Sequence, residues 1–222
     1  MSLKILGAGY FSAEELQGFA MPPAWRKATR NMVMATASLE RALKQVSGWN
    51  VAGDAQTGFV LSSTAGELET SADFIRTWAQ SRMARPVLFQ NSLHNATTGF
   101  ASIHFKIVGP VFTLSSLESA PQEALETAEM LLAEGTCRVC LVTVVEGHKG
   151  LAEAIRLDGM NEGACTLVVT TAVNAEKLGL PVRGDLPSAS MLNFSKTPES
   201  APLLSIANCG MYRLARELGE AK

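Results

Sequence analysis

Apolar residues recur between positions 24 and 47 at spacings of four and three: Ala28, Met32, Ala35, Leu39, Ala42 and Val46. That is one face of a helix, with Gly48 placed as its stop. Four other apolar runs lack this period and predict strands: residues 3–8 (LKILGA), 57–64 (TGFVLSST), 137–146 (CRVCLVTVVE) and 166–173 (TLVVTTAV). Unbroken runs of this kind suit strands covered on both faces. Residues 9–23, with Pro22 and Pro23, read as a loop. Residues 67–83 read as a helix whose apolar side is Leu68, Phe74, Ile75 and Trp78. Residues 92–107 are helical in outline despite Gly99, until Gly109–Pro110 breaks the pattern and VFTLSS (111–116) extends. A further helix enters at Ser119, where S-x-x-Q and Pro121 form a capping pattern, and it closes at Gly135. Its apolar positions are Ala124, Leu125, Ala128, Leu131 and Leu132.

Strands alternating with helices predict an α/β fold with a largely parallel, mixed sheet flanked by helices. The expected organisation is a single domain over residues 1–222. Its core spans about 1–174, followed by an irregular segment over 175–203 with one extended stretch at 189–194, and a closing helix over 204–219.

Composition narrows the function classes. A net charge of −2 argues against a nucleic-acid role, which needs a basic face. No apolar run approaches 18 residues, so no membrane span is expected, and the N-terminal residues lack the pattern of a secretory signal. The expected home is the cytoplasm. Only 18% of residues are charged, which leaves a rather apolar surface and suits burial in an assembly. Arg26, Lys27, Arg30, Arg41 and Lys44 ring the first long helix. They read as a solvated face or as a dock for an acidic carrier protein.

Several motifs carry little. Cys137 and Cys140 have C-x-x-C spacing, but no second ligand pair exists for zinc. On a strand, residues three apart face opposite sides, so these cysteines are expected to be buried free thiols. Gly7 and Gly9 suggest a dinucleotide loop, yet Ser12 replaces the third glycine. Ser115 and Ser116 lack the G-x-S-x-G elbow of a serine nucleophile. No cofactor and no metal is expected.

The stretch 90–146, with residues 63–75 ahead of it, carries more. STAGELETSADFI, FQNSLHNATTGF, the Gly109–Pro110 turn, a short strand, a capped helix and an apolar strand ending in Glu146 follow in that order. Over about residues 24–173 the chain resembles the N-terminal half of β-ketoacyl synthases. It resembles most a short subgroup, the ketosynthase-like or chain-length-factor-like proteins of bacterial fatty-acid and polyketide pathways. The resemblance implies a thiolase-like half. It also implies pairing with an active synthase, through the strand VFTLSS, to shape an acyl tunnel without forming carbon–carbon bonds.

In active synthases the nucleophilic cysteine sits at a helix N-terminus, where the dipole favours thiolate. Counting from Gly109–Pro110, that slot falls at Glu118, and no residue from Thr113 to Gln122 is cysteine. The two histidines that complete synthases take from a second half have no counterpart in this sequence. Gly147–His148 resembles one such motif but follows the wrong strand. The resemblance makes Ser92, His94, Asn95 and Glu118 the candidates for an acyl or pantetheine pocket. Each also has a plain reading: Glu118 as a helix N-terminal carboxylate, His94 and Asn95 as turn residues.

Three functions are weighed. The first is a non-condensing subunit in fatty-acid, polyketide or aryl-polyene assembly, paired with a ketosynthase and served by an acyl carrier protein. The second is an acyl-thioester enzyme using His94 and Glu118. The third is a stand-alone binding module, a decayed half-synthase. A homodimer or heterodimer is expected, with residues 175–222 partly covering the apolar helix layer.

Overall fold

The computed structural model describes residues 2–116, 120–148 and 162–186. Their element order is β1 (Leu3–Ser12), α1 (Ala13–Gly18), α2 (Arg30–Leu43), β2 (Thr57–Ser62), α3 (Leu68–Ser81), α4 (Pro86–Asn91), α5 (Ala96–Phe105), β3 (Val111–Leu114), α6 (Ala120–Ala133), β4 (Val139–Glu146), β5 (Gly163–Thr170), α7 (Ala172–Leu178) and β6 (Gly184–Leu186). The strands form one sheet in the order β3-β2-β4-β5-β1-β6.

The α/β class, the mixed sheet and the flanking helices are as expected. The parallel share is smaller than the sequence suggested. β2 pairs in parallel with β3 and β4, while β4–β5, β5–β1 and β1–β6 are antiparallel. Helical crossovers bring the chain back in parallel only between β2, β3 and β4.

Two apolar clusters sandwich the sheet. On one face α6 sets Ala124, Leu125, Ala128 and Leu132 against Val60, Val142 and Val144. On the other α2 sets Met34, Ala35, Leu39 and Ala42 against Leu6, Leu141 and Val168. Every residue of β2, β4 and β5 is buried, which explains their lack of alternation.

Element limits moved where local chemistry overrode the apolar pattern. The first long helix begins at Arg30, because the Thr29 hydroxyl accepts the Met32 N–H at 3.2 Å and fixes the cap there. The segment before it holds α1, whose Ser12–Glu15 capping box lies inside the expected loop. Residues 92–107 split: Pro86 starts α4, residues 92–95 turn, and α5 follows. The strand expected over 166–173 stops at Thr170, and Thr171 caps α7, which runs on into the segment read as irregular. Residues 189–194 and the helix expected over 204–219 lie outside the described residues, as does the expected covering by the tail.

β1 runs on past residue 8 to Ser12, and that removes the dinucleotide reading of Gly7 and Gly9. Both glycines lie in the strand beneath α2. A Cβ on Gly9 would stand 2.0 Å from the Ser38 carbonyl oxygen, and one on Gly7 would stand 2.4 Å from that of Ala42. They are glycine so that helix and sheet can touch backbone to backbone.

The basic residues near α2 are largely neutralised. Arg41 pairs with Glu15 at 2.7 Å, Lys44 with Glu40 at 2.8 Å, and Arg30 with Glu162 at 3.0 Å. The five cations therefore do not form one open face; Arg26 and Lys27, both exposed, precede the helix.

Candidate functional site

Three parallel strands end side by side at Ser62, Leu114 and Glu146. The carboxyl ends of parallel strands are where open α/β sheets place their chemistry. The turn after β2 is built around a buried carboxylate. Glu146 accepts from the backbone N–H of Thr64 and Ala65 and from the Ser63 hydroxyl, the last two at 3.4 Å. The Ser63 hydroxyl in turn accepts the Gly66 N–H at 2.9 Å. Asn31 Nδ2, from the first turn of α2, donates to the Gly66 carbonyl at 2.6 Å. Gly66 itself sits at φ +55°, in the left-handed region that favours glycine.

A second buried carboxylate follows at once. Glu67 is 5% exposed and accepts from three threonine hydroxyls: Thr29 at 2.8 Å, Thr70 at 3.0 Å and Thr97. Burial pushes its carboxyl above the ordinary glutamate range, and the three hydroxyls offset part of that rise. Glu67 thus ties the starts of α2, α3 and α5 to one point.

Of the sequence candidates, Ser92 closes α4. Its hydroxyl donates to the Phe89 carbonyl at 2.7 Å, and its own carbonyl accepts from Ser71 at 3.2 Å. Asn95 stands before α5, where its carbonyl accepts the Gly99 N–H at 2.9 Å. These are turn roles. His94 is exposed and lies over the glycine turn: a Cβ on Gly66 would meet its Nδ1 at 2.5 Å. His94 is near enough to Glu67 for its charge to be the least of the causes that offset the rise in the Glu67 carboxyl. Glu118 and Ser119 lie outside the described residues, although α6 begins at Ala120, where the capping pattern placed it.

His148 is buried, and its backbone N–H donates to Glu162 Oε1 at 2.7 Å. The cleft between Asn31, Gly66, Glu67 and Gly147 holds about 10 Å³, room for about one water, so it is no substrate pocket. Among the described residues no cluster of three or more His, Cys, Asp or Glu could hold a metal ion.

Sequence reasoning missed Glu67, Glu146 and Asn31. Glu146 carried a usable signal: a carboxylate closing an unbroken apolar strand cannot be solvated in place and needs internal donors. Nothing local marked Asn31.

This arrangement of strand ends, glycine turn and helix start coincides with a family match. Residues 35–172 fit the model of the β-ketoacyl synthase N-terminal domain. The chain belongs to that family. Solved structures share the fold. The ishigamide ketosynthase/chain length factor superposes with a TM-score of 0.68 at 20% identity, covering 79% of this chain and 64% of that one. The ketosynthase ApeO in complex with its chain length factor ApeC, from Xenorhabdus doucetiae, gives 0.63 at 19% identity, covering 78% and 80%. A type II polyketide acyl-carrier protein in complex with its ketosynthase, AntDE:AntF, gives 0.69 at 16% identity, covering 83% and 67%. The chain spans under two thirds of the length of the first of these. No protein of curated function matches it in sequence. Residues 113–122, where the resemblance led the nucleophile slot to be expected, contain no cysteine.

Proposed function

We propose that the chain is a non-condensing, chain-length-factor-like subunit that pairs with an active ketosynthase in a fatty-acid, polyketide or aryl-polyene pathway. The observation that carries this reading is β3 followed in sequence by α6, from Val111 to Ala133, with no cysteine in the residues between them. A carboxylate such as Glu118 in that slot forms no stable thioester. It cannot hold an acyl chain for condensation, so the scaffold is left with binding and shaping.

The surface supports a partner. Ile75 and Trp78 on α3, Phe89 on α4, Ile103 on α5, and Val111 and Phe112 on β3 are exposed apolar side chains. β3 lies at the edge of the sheet formed by the described residues, the position where a further strand can pair. We assign this side to the partner synthase, joined along β3 in a dimer. Ser92, His94, Asn95 and Glu118 would then face the shared acyl path. The partner's carrier protein would deliver the chain. No helix of the described residues is long and apolar enough to cross a membrane, and the cytoplasm suits such an assembly.

Co-expression with a full-length bacterial ketosynthase tests the reading. A stoichiometric complex is expected, together with no acyl adduct on this chain alone after incubation with acyl carrier protein thioesters, read by intact mass. An acyl-enzyme formed without the synthase, and lost in Glu118→Ala, would replace the reading with an acyl-thioester enzyme. A lone monomer that binds neither synthase nor acyl carrier would leave a decayed half-synthase.

A further inference from the structure

Cys137 and Cys140 are not on opposite faces as their spacing suggests. β4 begins only at Val139, and the chain bends at Arg138. Cys137 therefore belongs to the turn that leaves α6, where its N–H and that of Thr136 both return to the Leu131 carbonyl, at 3.3 and 3.0 Å. The bend brings the two sulfurs against the same spot on β2. A Cβ on Gly58 would touch Cys137 Sγ at 3.0 Å and Cys140 Sγ at 3.4 Å. Glycine at 58 leaves the space that the thiol pair fills.

We propose that Cys137 and Cys140 form a reversible disulfide when the protein meets hydrogen peroxide. The pair lies at the opposite end of β4 from the Glu146 turn, so this chemistry is independent of the proposed subunit role.

Three features support it. The turn is thin: residues 133–136 and Arg138 are exposed on either side of buried Cys137, so a local opening of this turn admits a molecule as small as peroxide. The two thiols are unlike. The neighbouring Cys140 thiol and the Gly58 N–H hold Cys137 below the usual thiol range, while Cys137 and burial hold Cys140 well above it. That is the asymmetry of an attacking and a resolving sulfur. The third described cysteine, Cys165, is an internal contrast: it lies fully buried in β5 and burial pushes its thiol up to about 12.

In the first step the Cys137 thiolate attacks one peroxide oxygen. The O–O bond breaks, and the departing hydroxide takes a proton to become water. Cys137 is left as a sulfenic acid. In the second step the Cys140 sulfur attacks the Cys137 sulfur and the S–O bond breaks. Hydroxide leaves with the Cys140 proton as a second water. Two thiols lose two electrons to one peroxide, and an added dithiol reverses the bond.

Trypsin supplies the assay, because it cuts between the two cysteines at Arg138. The folded full chain is treated with peroxide, denatured in N-ethylmaleimide and digested. The expected product is peptide 107–138 joined to peptide 139–149, separating with dithiothreitol, while Cys165 carries maleimide. Cys137 should lose maleimide reactivity at least about tenfold faster than Cys165. In Cys140→Ser, Cys137 should stop at sulfenic acid and be trapped by dimedone. Four results would overturn the proposal: both peptides free and fully alkylated, Cys137 sulfinic acid beside an intact Cys140 thiol, linkage to Cys165 or Cys209 instead, or equal rates at Cys137 and Cys165. The unsubstituted chain decides the matter even where the serine variant folds poorly.

Discussion

Gly9→Ala tests whether the contact between α2 and β1 is as close as described. The new Cβ would stand 2.0 Å from the Ser38 carbonyl oxygen, 2.6 Å from the Ala42 nitrogen and 3.0 Å from Arg41 Cβ. Ordinary contact lies near ~3.5 Å, so helix and strand must part by over an ångström. Two of the three obstacles are backbone atoms, and no rotamer change relieves them. The helix cannot lift freely, because Met34, Ala35, Leu39 and Ala42 are packed on the sheet. Overpacking usually costs about 1–3 kcal/mol, and a backbone clash belongs at the top of that range. For a chain of this size about 3 kcal/mol corresponds to roughly 6–12 °C in melting temperature. The assay is urea unfolding with a thermal melt beside it. Gly99→Ala is the control. Gly99 lies inside α5, and a Cβ there meets nothing within 4 Å. That change should stabilise by about 0.5–1 kcal/mol through backbone entropy. If Gly9→Ala melts within a degree or two of the parent, or moves in the same direction as Gly99→Ala, the close approach is not there.

Glu67→Gln should alter a pH profile. The folded chain holds the Glu67 proton above its ordinary 4.5, while the unfolded chain releases it near that value. The folded state thus binds more protons, and stability falls as pH rises from about 4.5 through the folded value. In Glu67→Gln that fall should flatten when urea midpoints are measured across the window; an unchanged slope would contradict the desolvation argument. Glu146→Ala should destabilise by about 3 kcal/mol or more, since several donors lose their acceptor at about 1–3 kcal/mol each. It should also speed amide exchange at Thr64 and Ala65, and unchanged exchange there would refute the anchoring role.

Much of the fold was legible because most elements obey a local rule. The buried strands read as flat apolar runs, and α6 declared its start by a cap and its end by Gly135. Short elements were missed where two signals compete: α7 is seven residues long and begins under a strand pattern that overran it, and the six-residue α1 lies in a stretch that Pro22 and Pro23 made read as loop. Ser92 and Asn95 were legible as a motif, yet the structure gives them turn contacts, and the carboxylate beside His94 is Glu67.

The sequence by itself determined the class, the family match and the missing thiol, because periodicity, caps and the identity of residues 113–122 are properties of neighbouring positions. Only the tertiary structure decided the rest. Glu146 meets Thr64 across 82 positions, Asn31 meets Gly66 across 35, and two glycines in β1 meet a helix more than two dozen residues onward. The bend at Arg138 likewise turned opposite faces into a thiol pair. Such meetings depend on how sheet order and helix crossings fold distant segments together, and no local spacing encodes them.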